Sequence, residues 1–117
     1  MNENQALDEV FDAFANSHRR DIIVALSLQP YSISQLASQQ HLSLPAIHKH
    51  IRVLEAAELV VRKKVGRTNF LSLRRTRLRE LQEWLGRFNP YWGSDDETLE
   101  NYVQQMDDQV PDKEEQQ

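Results

Sequence analysis

The 117-residue chain has no cysteine, three glycines, four prolines and no long hydrophobic run. Each shortage excludes a class of protein. Without cysteine there is no disulfide, no thiolate metal site and no cysteine nucleophile. The three glycines form no GxGxxG or GxxxxGK phosphate-binding loop. No apolar run approaches the roughly 20 residues that a membrane helix needs, so no membrane partner is expected. The start MNENQALDEV lacks the basic-then-apolar layout of a signal peptide, so a cytoplasmic protein is expected. Ser, His and Asp are present, but at no spacing that would assemble a triad, and an enzyme is not expected. What remains, 39% apolar and 27% charged, fits one globular domain.

The net charge of −4 hides three blocks. Residues 1–16 carry Glu3, Asp8, Glu9 and Asp12 and no cation. Residues 17–87 carry thirteen basic side chains against Asp21, Glu55, Glu58, Glu80 and Glu83. Residues 88–117 carry nine acids against Lys113. Charges more than about 8 Å apart are largely screened at physiological salt, so a polyanion would sense the basic middle rather than the total.

Leu7, Val10, Phe11 and Phe14 recur at helical spacing, predicting a first helix over 4–15. Asn16 or Ser17 caps a second, striped by Ile22, Ile23 and Leu26, and Gln29-Pro30-Tyr31 breaks it. Ser32-Ile33-Ser34-Gln35 has capping-box form and opens a short helix to about Gln40, with Leu36 and Ala37 inward. His41-Leu42 turn the chain, and Ser43 caps a fourth helix with Pro45 in its first turn. Residues 59–64 and 68–73 read as strands joined at Val65-Gly66-Arg67, a hairpin with a basic tip. Leu78, Leu81, Trp84, Leu85 and Phe88 mark a fifth helix ended by Asn89-Pro90. Ser94-Asp95-Asp96-Glu97 is a second capping box, before a helix striped by Leu99, Tyr102, Val103 and Met106.

The order is α-α-α-α-β-β-α plus a C-terminal helix: mainly α with a small β-hairpin. A short helix, a turn and a second helix form a helix-turn-helix, whose second helix lies in the DNA major groove. At about 100° per residue, His50, Leu54, Ile47 and Ile51 share one side of the fourth helix. Leu44, His48, Arg52, Pro45 and Lys49 share the other, where Arg52 or Lys49 can donate to guanine. An ordinary amphipathic helix with a solvated face has the same pattern. The hairpin favours DNA: Arg62, Lys63, Lys64 and Arg67 surround one turn, with no acid between Leu59 and Glu80. Ser32, Ser34 and Ser43 sit at helix starts, where hydroxyls cap helices and where DNA phosphates commonly lie. The expected organisation is a winged helix-turn-helix DNA-binding domain with dimerisation helices over 1–93, an acidic helix over 94–108, and a disordered tail over 109–117.

Residues 11–88 resemble the ArsR-like (arsenical-repressor) family of winged-helix transcription regulators. The stretches that carry the likeness are ANSHRRDIIVAL at 15–26, YSISQLASQQHLSLPAIHKHIRVLEAAELV at 31–60 and VRKKVGRTNFLSL at 61–73. The resemblance implies a homodimer that binds double-stranded DNA at an inverted-repeat operator and represses transcription. It places recognition-helix contacts on Ser43, Leu44, Pro45, His48, Lys49 and Arg52, and wing contacts on Lys63, Lys64, Gly66 and Arg67. Leu44 stands where the family often has a polar residue, and an apolar contact to a thymine methyl is expected there. Glu58 stands where the family usually ends this helix with a left-handed Gly.

The family's metal sensors need thiolates or imidazoles. Their paired cysteines fall on Ser32 and Ser34, whose neutral hydroxyls are poor ligands for soft metals. No histidine follows His50, and His48 and His50 point about 200° apart, so neither a metal nor another cofactor is expected. The resemblance also makes the first and fifth helices the dimer interface. Their apolar stripes, Leu7, Val10, Phe11 and Phe14 with Leu78, Leu81, Trp84 and Leu85, are too broad for one small domain to cover. Two alternatives stay open. One is a protein-interaction module using the winged helix, which Leu44 on the polar side would suit. The other is a repressor gated by a small-molecule effector, with Phe88, Tyr91 and Trp92 lining the pocket.

Overall fold

The structure, a computed structural model, describes residues 2–88 and 95–109. Its elements are α1 (Glu3–Phe14), α2 (Ser17–Leu28), β1 (Tyr31–Ser32), α3 (Ile33–Gln40), α4 (Leu44–Ala56), β2 (Val60–Val65), β3 (Thr68–Leu73), α5 (Thr76–Gly86) and α6 (Asp95–Gln109). Residues 1–84 form one compact unit and 85–117 another.

The helix starts follow from side chains that satisfy otherwise unpaired N–H groups. Asn2 and Gln5 close a capping box on α1, Asn16 accepts from the N–H groups of His18 and Arg19 on α2, and Ser32 and Gln35 close the box on α3. Ser43 accepts from Ala46 N–H, with Pro45 in the first turn of α4. Two exits are left-handed without glycine. His41 ends α3 at φ 55°, and Glu58 follows α4 at φ 57°. After α4, Leu59 N–H reaches the Leu54 carbonyl (3.0 Å) and Glu58 N–H the Glu55 carbonyl (3.0 Å), with Leu54 and Leu59 both buried. That is a Schellman ending, so the geometry the family assigns to Gly survives with Glu58 in its place. A left-handed L-residue costs about 1–2 kcal/mol. The Glu58 carboxylate offsets part of that cost by receiving Arg77 (Nε, 3.0 Å) and lying 3.7 Å from Arg74 Nη1.

The hairpin closes through a two-residue turn, Gly66-Arg67, rather than three, because Val65 still pairs with Thr68. Gly66 takes φ 64° at the first central position, as a type II′ turn requires. The strand β1 is unanticipated by the sequence reading: Tyr31 and Ser32 pair antiparallel with Leu71 and Phe70, giving the sheet order β1-β3-β2. The core gathers Val10, Ile22, Leu36, Ile47, Ile51, Leu54 and Leu71 from five elements, with Leu59 from the link between α4 and β2. Each such side chain contributes roughly 1.5–3 kcal/mol by leaving water.

Helix α1 corrects one expectation. Val10 is only 1% exposed and belongs to the chain's own core, against which Phe14 is also partly packed, so the stripe does not face outward as a whole. Small Ala6 and Ala13 are buried beside it, while Phe11 stays exposed and meets Trp84 edge-on at 5.5 Å. Helix α5 ends at Gly86, so Phe88 lies past its stripe. The Asn89-Pro90 stop, the Ser94 cap, Tyr91 and Trp92, and the tail beyond Gln109 lie outside the described residues. Within α6, Leu99, Tyr102, Val103 and Met106 are all exposed.

Candidate nucleic-acid interface

The fourth helix is sorted as its periodicity demands. Ile47, Ile51 and Leu54 are fully buried, and Lys49 and Arg52 are exposed on the opposite side with Ser43, Leu44 and Pro45. Leu44 is 51% exposed, a large apolar side chain at the outward N-terminal end. His48 is half-buried because it lines a groove of about 200 Å³ between the starts of α3 and α4 and the wing. Ser34, Leu44 and His48 form its helical wall, and Arg67, Thr68 and Asn69 its wing wall. The helix-turn-helix and the hairpin tip thus meet in one place. Thr68 and Asn69 escaped the sequence reading. Their signal was a polar pair at the start of β3, on a strand that reads as apolar further along.

Among the described residues, Lys49, Arg52, Lys63, Lys64 and Arg67 make no ion pair. Arg62, counted above among four wing cations, differs: its guanidinium lies 2.9 Å from Glu55 at the end of α4, and its Nε is buried without a partner. It joins the wing to α4, and the tip presents three cations. Ser32 also differs from Ser34. It is 8% exposed and its hydroxyl accepts from Gln35 N–H, which assigns it to capping, whereas Ser34 is exposed.

On the inward side of α4, His50 lies 3.2 Å from Arg19 and 5.5 Å, ring to ring, from His18. Burial, then Arg19, then His18 hold its pKa below the ordinary 6.5. His50 points into the chain and His48 towards the groove, so the two do not converge. No cluster of three or more His, Cys, Asp or Glu side chains that could hold a metal ion occurs among the described residues.

Residues 16–61 match the family described as "Bacterial regulatory protein, arsR family". The chain is 32% identical over 88 residues to the HTH-type transcriptional regulator Rv2034 of Mycobacterium tuberculosis, covering 75% of this chain and 82% of that one. It belongs to the ArsR family. This ArsR-family chain is a transcriptional regulator with a DNA-binding winged helix-turn-helix. It is also 30% identical over 73 residues to a "Transcriptional repressor SmtB homolog" of Synechocystis, covering 62% of this chain and 55% of that one. A solved ArsR-like transcriptional regulator from Rhodococcus sp. RHA1 superposes with a TM-score of 0.73 at 29% identity, over 92% of this chain and 98% of that one. No described helix is long and apolar enough to cross a membrane.

Proposed function

We propose that this ArsR-family regulator is a homodimeric repressor of an inverted-repeat operator. The observation that carries the reading is the two-sided α4: Lys49 and Arg52 stand without an ion pair among the described residues, on a helix whose other side buries Ile47, Ile51 and Leu54, beside a groove walled by Arg67. In the complex, α4 enters the major groove, with Arg52 and Lys49 donating to guanine edges and His48 beside them. Leu44 meets a thymine methyl, and the Ser43-Pro45 end of α4 lies against the backbone. Lys63, Lys64 and Arg67, with the Gly66 backbone between them, hold flanking phosphates, and Ser34 adds a hydroxyl at the start of α3.

Two copies join along α1 and α5, through Leu7, Phe11 and Phe14 with Leu78, Leu81, Trp84 and Leu85, of which Phe14, Leu78 and Leu81 are also packed in part against the chain's own core. Phe11 (41%) and Leu85 (51%) are large apolar side chains left exposed in a single copy. Val10 supports this surface from behind. The repressor name of the Synechocystis relative supports the sign of regulation.

A gel shift against the promoter of the chain's own operon tests the reading. The expected result is a salt-sensitive dimer complex on half-sites about 34–36 Å apart. No shifted band at low salt with folded dimer present would overturn it.

A further inference from the structure

Behind the reading side of α4, four side chains from three helices converge. Arg19, in the first turn of α2, donates from Nε to the Ala13 carbonyl (2.8 Å) and from Nη2 to the Asp12 carbonyl (3.0 Å), closing the C-terminus of α1. Its remaining nitrogen, Nη1, lies 3.2 Å from His50 Nδ1 in the middle of α4. A guanidinium has donors only, so His50 accepts at Nδ1 and keeps its proton on Nε2. His18 Nδ1 lies 2.9 Å from Gln40 Oε1 at the end of α3, and an amide oxygen only accepts, so His18 donates there. The two imidazoles lie 5.5 Å apart and tilted by 37°. One cluster therefore ties the end of α1, the start of α2 and the end of α3 to the helix that presents Lys49 and Arg52.

We infer that the Arg19–His50 contact is a positioning bond that holds α4 in its DNA-reading orientation, and that protonating His50 releases it and weakens sequence-specific binding. The inference rests on the reading of α4 as the base-reading helix. A protonated His50 would turn a donor toward Arg19 and set two cations against each other. From α2 it is faced by His18 and Arg19, and from α3, through His18, by neutral Gln40. From α1 only the Asp12 and Ala13 carbonyls meet the cluster. Arg62 of β2 is engaged at Glu55, further along α4. Among the described residues, no carboxylate is bonded to His50 to steady the charged form. Burial and its two basic neighbours hold its pKa below 6.5, so His50 is neutral at physiological pH. With a depressed pKa in the folded state, the bond is intact above 6.5 and is lost as pH falls through the folded value. General electrostatics has the opposite sign: acid adds positive charge and strengthens phosphate binding. The two effects are therefore separable.

Fluorescence anisotropy from pH 8 to pH 5 tests this, using a duplex selected from a random library and a scrambled control. For the wild type, the affinity for the selected duplex should fall about tenfold, within the usual range of coupling between two sites, while the scrambled duplex binds no more weakly. His50→Asn keeps an acceptor near the Nδ1 position and cannot take a proton, so its decline should vanish. His18→Asn removes a neighbouring imidazole and should move the midpoint upward. His48→Gln, on the DNA side, should bind more weakly at every pH yet keep the decline. A decline that persists in His50→Asn, or none in the wild type despite binding at pH 8, overturns the link alone. Failure to bind any duplex at pH 8 overturns the DNA reading itself. Nitrogen NMR of the wild-type imidazoles is independent of any variant's folding: His50 should carry its proton on Nε2 at pH 7.5, and a proton on Nδ1 would overturn the bond.

Discussion

Helix α4 and the hairpin β2–β3 both present exposed cations, but behind those of α4 lie three fully buried side chains. Lys49 and Arg52 ride on a rod seated by Ile47, Ile51 and Leu54. Lys63, Lys64 and Arg67 ride on a ribbon whose outer residues, Val61 and Val65, are exposed. A charge that must meet one base edge needs a fixed platform, because a bidentate bond tolerates little displacement. A charge that must meet only a phosphate needs nearness, because backbone contacts position without specifying. The wing is tied to α4 itself by the Arg62–Glu55 pair.

The largest expected effect breaks the platform. Ile51→Ala should destabilise the fold by about 2–5 kcal/mol in denaturant titration, whereas Val65→Ala on the ribbon should stay within about 0.5 kcal/mol. Equal losses would erase the distinction. Next comes DNA choice. Arg52→Ala should cost about 1–3 kcal/mol of discrimination at one operator position, read by competition with single-base variants. Lys63→Gln with Lys64→Gln should weaken all duplexes alike and reduce the salt slope by about two. A wing variant that changed base preference would show that the ribbon reads sequence after all. The smallest effect lies at the end of α4: Glu58→Ala keeps the left-handed strain and loses Arg74 and Arg77, while Glu58→Gly removes both. Thermal unfolding should leave the Ala variant less stable by about 1 kcal/mol.

The platform was legible in the sequence because helical periodicity and caps are local. Ile47, Ile51 and Leu54 recur at the right spacing, and Ser32-Gln35 and Ser43 announce their helices within four residues. The misread residues depend on neighbours distant in sequence. Tyr31 and Ser32 become a strand only by pairing with β3, and two residues carry no alternation to read. Arg62 loses its availability to Glu55, an acid on the preceding helix that a scan of the wing alone passes over. On α1, large Val10 shares its side with Ala6 and Ala13, so hydrophobic spacing alone misjudged which part of the stripe turns inward. Glu58 and His41 show that a left-handed exit can be set by the carbonyls it satisfies as much as by the residue that adopts it.

Because β3 is hydrogen-bonded to the wing strand on one edge and to the residues opening α3 on the other, the hairpin cannot swing without dragging the helix-turn-helix along. The protein behaves as a caliper with a locked jaw. On the proposed reading, the distance between the bases that α4 would probe and the phosphates that the Gly66-Arg67 tip would hold is set before DNA arrives. Footprints on different operators should then share one length per half-site, and a base pair inserted between those two contact points should be punished whatever its identity.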